Sequence, residues 1–386
     1  MVVQSAFPVG MTLNGLADLH RGLREQGPVR EVPGPDGVPV WIVTGFSEIV
    51  RLLTDTRVVN KGPGSGVGDP GFGLPKALAT NLLNMGAADH HRVRTMASPG
   101  FARCRGEASR AAVETHVRDL LDVVEASGDA EVDFYARLAA PLQARVIRDL
   151  LGVFPEDAAT FEAAAVTVAA FDPGDPSTRD GMVPATHAIV DCLARLLAAR
   201  RAKPGDDLVS EWFTAGMTDA EALSLAFLVV LASQNSVGQN ANALGVLAAR
   251  DRAEVLADVA VEERWQAGLP GLLADSLVGS YAVRRFNLDE ITLGGVTVPA
   301  GSPLFVSLRA AISDPARSCD RSGLAFGRGA HYCLAAELAT VELDVLARAV
   351  FRRFPGLRSA QDWERVEMRA TWRTHSPRQL QILPYG

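Results

Sequence analysis

The segment LAFGRGAHYCLAAELATVEL at 324–343 constrains this chain more than any other. Its glycine-bearing loop delivers Cys333 to the first turn of an Ala/Leu/Glu-rich helix. A cysteine at a helix N-terminus faces the positive end of the helix dipole and unpaired backbone N–H groups. Both lower its pKa and can hydrogen-bond its sulfur, so the reading is a thiolate. Gly327 and Gly329 let the backbone turn tightly and approach a flat ligand without side-chain obstruction. The bland alternative is a buried structural cysteine. Cys104, Cys192, Cys319 and Cys333 are widely separated with no CxxC pair, which fits neither a disulfide framework nor a zinc knuckle. Zinc held by His331 and Cys333 would need four ligands in a closed site, and no further pair is suitably spaced.

Elsewhere the pattern is mostly helical. Residues 28–59 read as strand, Pro/Gly turn, strand and short helix, by alternation and then by apolar spacing. From about 75 to 250 the spacing is helical, broken near FDPGDPST at 171–178. Thr218-Asp-Ala-Glu221 is a capping box, and the pattern then runs without proline to about Arg250, which predicts a helix roughly 45 Å long. Residues 281–306 return to strands, with turns at Gly294-Gly295 and Pro299-Ala-Gly301. No repeat, linker or low-complexity segment divides the chain, so one domain over 1–386 is expected. Gly66-Val-Gly68-Asp-Pro-Gly71 formally matches a dinucleotide fingerprint. Pro70 lies inside it, no buried strand precedes it and no helix opens directly after it, so that reading is rejected.

Phe-Gly-x-Gly-x-His-x-Cys at 326–333 resembles the haem-ligand loop of the cytochromes P450. The resemblance covers nearly the whole chain, from REVPGPDGVPVWIVTGFSEIVRLLTD at 30–55 to the final strands. It implies a mainly α fold with small β-sheets and a long central helix crossing the haem. It also implies haem b as cofactor, with Cys333 as axial ligand pushing electron density toward bound oxygen. Phe326, Gly327 and His331 of the loop become cofactor contacts. His90 and Arg94 share one face of a predicted helix and resemble the family's His-x-x-x-Arg, which binds the haem propionates by charge-assisted hydrogen bonds. Arg285 takes the place of a further propionate-binding arginine, with Arg284 beside it leaving the register open by one. By itself the His90/Arg94 pair would read as a solvated helix face.

The chain departs from the family in the middle of the long helix. There Ala232-Ser233-Gln234-Asn235-Ser236 stands where the family has Ala/Gly-Gly-x-Asp/Glu-Thr. Four polar residues after an apolar run are costly in a core unless partnered, so a lined cavity is expected, with Ala232 against the cofactor. Ser236 keeps the hydroxyl, but Asn235 replaces an acid and cannot relay a proton by ionising. Glu263 with Gln266 is read as the family's Glu-x-x-Arg with the arginine lost, Gln266 donating to Glu263. Ala335 replaces a common glycine, and 313–323 is shorter than usual.

Three functional expectations follow. The first is monooxygenation of a small apolar natural-product intermediate with ferredoxin-supplied electrons, Arg92, Arg103, Arg105 and Arg328 docking the acidic donor. The second, motivated by Asn235, is peroxide-dependent or oxygen-independent haem chemistry, such as a rearrangement or nitrene transfer. The third is a non-catalytic recruitment module. The substrate pocket is expected between the loop at 61–85, 165–185, 228–237 and 279–286, with the glycine loop mobile over it. A net charge of −7 without a dense Lys/Arg run argues against nucleic acid or anionic membrane as partner. MVVQSAFPVGMTL reads as neither signal peptide nor anchor, which suggests a cytoplasmic protein.

Overall fold

In the computed structural model, which describes residues 6–62, 78, 80–104, 106–315, 324–369 and 371–386, the first element is α1 (Leu13–Glu25). Its Thr12 hydroxyl accepts from the Gly15 N–H as an N-cap. Strands β1 (Val29–Pro33) and β2 (Pro39–Val43) pair antiparallel, Val29 opposite Val43, about the turn containing Gly37 at φ +81°. Then come α2 (Phe46–Thr54) and β3 (Val58–Val59), so 28–59 is built as its alternation predicts.

The helical stretch carries α3 (Ala87–Arg103), α4 (Glu107–Ser127), a short β4 (Val132–Asp133), α5 (Ala140–Leu151), α6 (Pro155–Ala170), α7 (Met182–Ala202) and α8 (Leu208–Thr214). The break expected near 171–178 is a turn knotted by Asp172, whose carboxylate accepts from Gly174 N–H at 2.9 Å and whose carbonyl accepts from the Thr178 hydroxyl at 3.0 Å.

Helix α9 (Asp219–Ala248) has 30 residues and opens on both halves of the capping box. The Thr218 hydroxyl accepts from Glu221 N–H, and the Glu221 carboxylate accepts from Thr218 N–H at 3.0 Å. By length and composition Pro176–Ala202 and Asp219–Ala248 could cross a membrane, but α9 has that composition because apolar side chains from several faces enter two cores. Its glycines set how closely neighbours approach. A Cβ on Gly238 would stand 2.7 Å from Ser376 Cβ, and Gly245 lies under the Trp363 ring.

The chain continues through α10 (Arg252–Ala260), α11 (Glu262–Asp275), β5 (Arg285–Asn287), β6 (Ile291–Leu293), β7 (Val296–Val298), β8 (Pro303–Val306), α12 (Leu308–Ile312), α13 (Ala336–Arg353), β9 (Arg358–Ser359) and β10 (Gln381–Leu383). The main sheet has the order β1-β2-β8-β5-β3, and β8 runs parallel to β2. Gly294 and Gly295, both at positive φ, close the β6–β7 hairpin. Within the sheet Arg285 is opposite Leu304, which fixes the backbone from which its side chain leaves.

Among the described residues four apolar clusters hold this together. One joins α4, α5, the second half of α9 and α13 through residues such as Val117, Leu142, Leu244 and Val350. Another joins α3, α6, α7, α8 and the first half of α9 through Val93, Phe161, Ile189, Trp212 and Phe227. The third backs the sheet with Val43, Ile49, Leu304 and Val306. The fourth joins Phe7 and Leu19, at the α1 end of the chain, to Ile42 and Phe305 of the sheet. Each such side chain contributes about 1.5–3 kcal/mol when taken from water. The glycine-rich loop from 63 on, the segment 316–323 with Cys319, and Arg105 lie outside the described residues.

Candidate functional site

The cysteine loop is shaped by its own backbone. Leu324 O accepts from Gly327 N–H at 3.0 Å, and Phe326 O accepts from Cys333 N–H at 2.9 Å, which folds the loop back so that Phe326 and Cys333 lie together. Gly327 and Gly329 sit at φ +73° and +72°. At Gly329 the backbone of α2 comes so close that a Cβ would collide with Leu53 O, so this glycine is required by both conformation and space. Cys333 is not in the first turn of the following helix. Helix α13 begins at Ala336, and the cysteine stands two residues before the N-cap Ala335. The thiol is pushed up rather than down, because burial outweighs the Ala335 N–H that bonds it and the positive charge of Arg94. The expected depressed pKa is therefore corrected: burial in the folded chain raises it.

Around this cysteine the fold gathers four basic side chains from three elements. His90 on α3 is buried, and its ring lies 4.0 Å from that of His331, tilted by 37°. Arg94, one turn on, donates to Tyr332 O at 2.6 Å and so ties α3 to the cysteine loop. Arg285, 4% exposed on β5, donates only to Val283 O, at 2.7 Å. Arg284 places its guanidinium 5.3 Å from the Phe286 ring, and Arg285 is the more buried of the two. Burial and the neighbouring cations hold His331 near pKa 3 and lower His90, and burial brings Arg285 to about 10. Among the described residues no carboxylate pairs with Arg94 or Arg285, and His90 Nε2 has no partner. Asn60, which the sequence did not single out, donates from its amide Nδ2 to His331 Nδ1 over 3.3 Å. Nothing in its local pattern marks it, since the contact joins residues 271 apart. No group of three or more His, Cys, Asp or Glu gathers among the described residues, so the His331/Cys333 zinc alternative lacks a ligand set.

The second part of the site is a face of α9. Ala232 and Asn235 are exposed in mid-helix, with Leu228, Ser236 and Gln239 half-buried on the same side. The first half of the helix contributes to the apolar cluster that also receives Leu334 and Ala335. No hydrogen bond or ion pair joins Ala232, Asn235 or Ser236 to the basic cluster.

Glu263 and Gln266 do not form a pair. Both are exposed near the start of α11, and Gln266 donates to Glu262 instead, at 2.9 Å. Gln266 lines a cleft of about 520 Å³ between α11 and the cysteine loop, with Leu269, Leu273, Phe326 and Arg328. Two of the four expected docking arginines are held in ion pairs. Arg92 pairs with Glu221, and Arg103 with Glu211 and with Asp206 at 3.0 Å.

No protein-family model matches the sequence. The chain is 32% identical over 391 residues to the nocardicin C N-oxygenase of Nocardia uniformis subsp. tsuyamanensis, covering 95% of each protein. This likeness runs through the cysteine loop, the long helix and the sheet alike. The chain belongs to the cytochrome P450 family. This P450 is also 32% identical to the 6-deoxyerythronolide B hydroxylase of Saccharopolyspora erythraea, over 90% of each. It superimposes on the crystal structure of GfsF with a TM-score of 0.82 at 26% identity, covering 99% of this chain and 98% of the other. Cytochrome P450 MoxA from Nonomuraea recticatena gives 0.80 at 25%, covering 97% and 96%. The P450 is thus an oxidoreductase whose family implies a haem cofactor, on the mainly helical fold its sequence implied.

Proposed function

We propose that this P450 is a single-domain, cytoplasmic haem-thiolate enzyme that oxidises a small apolar natural-product intermediate, with haem b as cofactor. Cys333 would hold the iron, and His90, Arg94, Arg285 and His331 the two propionates. Phe326, Gly327 and Ala232 would pack against the macrocycle. The observation that carries this reading is the basic cluster. Two buried or half-buried arginines and two histidines converge without an acid, and an unpartnered buried donor costs about 1–3 kcal/mol. A dianionic group accepting from them removes that cost, so the residues fit a planar ligand with two carboxylates beside a cysteine. When bound, the iron would deprotonate the thiol and supply the oxidising chemistry that the side chains lack.

The chain's own residues divide the remaining work. Arg94 holds the cysteine loop through Tyr332 O and leaves donors for a carboxylate. Asn235 presents an amide that orients a substrate carbonyl or a water but delivers no proton by ionising, while Ser236 retains a hydroxyl that donates and accepts. The ferrous–carbon monoxide difference spectrum tests the assignment. A red-shifted Soret band is expected, and a band at the ordinary haem-protein position would refute thiolate ligation by Cys333. The hydroxylase and oxygenase relatives favour monooxygenation, for which we propose a ferredoxin-type electron donor. The exposed neutral Asn235 favours one other reading, peroxide-dependent or oxygen-independent chemistry. Product formed at equal rate with and without dioxygen and reductant would select it.

A further inference from the structure

The resemblance implied an arginine on α11 at the place of Gln266, which among the described residues pairs only with Glu262. The structure places a different one at the other end of the same helix. Arg309 on α12 is buried, makes no ion pair among the described residues, and donates through Nη2 to Leu277 O, two residues past the end of α11. Its own N–H reaches Ser280 O at 3.4 Å. Burial lowers it to about 10, so it is charged at neutral pH, with the negative charge of Asp275 nearby. Two neutral histidines complete the surroundings. His20 of α1 bonds Ser307 at 2.8 Å, and the His375 N–H donates to Val278 O at 2.9 Å. Both rings lie within the field of Arg309 and are held near pKa 3 by burial and that charge. Asn242 of α9 binds Ser276 O at 3.2 Å and His375 O at 2.9 Å.

Four of these contacts, on the carbonyls of Ser276, Leu277, Val278 and Ser280, fall on residues 276–280. From there the chain runs through Tyr281, paired with Ser307, and Ala282, whose N–H donates to Val306 O, directly into Arg285. We propose that Arg309 is a positioning residue: by holding Leu277 O with its guanidinium, beside the backbone bond from its N–H to Ser280 O, it fixes the segment that delivers Arg285 to the basic cluster, a task for which Gln266 is at the wrong end of α11. A guanidinium suits the place because the carbonyls at a helix C-terminus attract a cation. This inference rests on the haem reading above.

The test compares the wild-type holoenzyme with Arg309→Lys, Arg309→Met and a control, Arg348→Met, which removes the partner of Glu262 at the exposed start of the same helix. Each is scored by far-UV circular dichroism, by the ferrous–carbon monoxide spectrum and by haem transfer to excess apomyoglobin. Arg309→Lys keeps the buried charge but loses the fork. It is expected to fold, to release haem about tenfold faster and to move part of the band to the ordinary position. Arg309→Met is expected to be worse in both respects, and Arg348→Met to match wild type. Wild-type haem release in Arg309→Lys overturns the proposal, even where Arg309→Met does not fold. Equal loss in Arg348→Met overturns it too, by making the effect general to α11. A wild-type protein without the red-shifted band would instead refute the haem reading itself.

Discussion

The surroundings of Cys333 and the middle of α9 border the same apolar cluster but are built by opposite rules. Near the cysteine the side chains are cationic or titratable, mostly buried, and tied to backbone carbonyls on separate elements, as with Arg94 on Tyr332 and Arg285 on Val283. On α9 the residues are neutral amides, a serine and an alanine, exposed or half-buried on one helix and not hydrogen-bonded to that cluster. Charge that is buried must be compensated, so it specifies a ligand closely. Neutral groups on an open face tolerate exchange, because little is lost when they change. The first region fixes the cofactor class, and the second is where the chemistry has room to differ from that of relatives.

That contrast can be broken most decisively at Cys333. Cys333→Ala should abolish the red-shifted band altogether while leaving circular dichroism unchanged, and a surviving band would place the ligand elsewhere. Arg285→Leu should come next. Losing a buried charge-assisted hydrogen bond of about 1.5–3 kcal/mol predicts haem binding weaker by about tenfold to a hundredfold, read by haem titration. If the loss is no greater than for Ser236→Ala, the two regions do not differ in the way argued.

Burial can be tested at a buried acid on α13. Glu342 on α13 is buried against Gln143, and burial pushes its carboxyl from 4.5 to about 8. The folded state then carries a proton that the unfolded state has lost. The group's stabilisation is present below pH 4.5 and is lost as pH rises toward 8, at about 1.4 kcal/mol per unit. Melting temperature across pH 5–8 should flatten in Glu342→Gln, and parallel curves would show the carboxyl to be ionised.

Smaller effects are expected on α9. Gly238→Ala gains up to about 1 kcal/mol of helix propensity but brings a Cβ to 2.7 Å from Ser376 Cβ. Overpacking costs about 1–3 kcal/mol, so clash wins and denaturation should show a net loss. Asn235→Asp, on the open face, should change stability by less than about 0.5 kcal/mol. If it raises dioxygen-dependent turnover, the amide is what separates this site from an acid relay. No change in turnover would make Asn235 a substrate contact only.

Much of this architecture was legible in the chain. The capping box at Thr218 starts α9, the paired glycines at 294–295 close their hairpin, and His90 and Arg94 face one way because three and four residues make a turn. These are local facts, set by backbone sterics and periodicity, and they carried the cysteine loop as well. What the sequence could not decide was whatever depends on distant burial. The Cys333 thiol was expected to be acidic from its place before a helix, yet desolvation by the folded chain outweighs the nearby N–H. Gln266 was matched to an absent arginine by spacing alone, whereas the fold turns it outward to Glu262 and puts a buried guanidinium, Arg309, at the helix's far end. Asn60 meets His331, and His20 meets Ser307, across more than 270 residues. Sequence by itself therefore determined the helices, the turns and the residue types of the site. Only tertiary packing decided which of its charges are dry, and electrostatic free energy depends on that more steeply than on the identity of any neighbour in the chain.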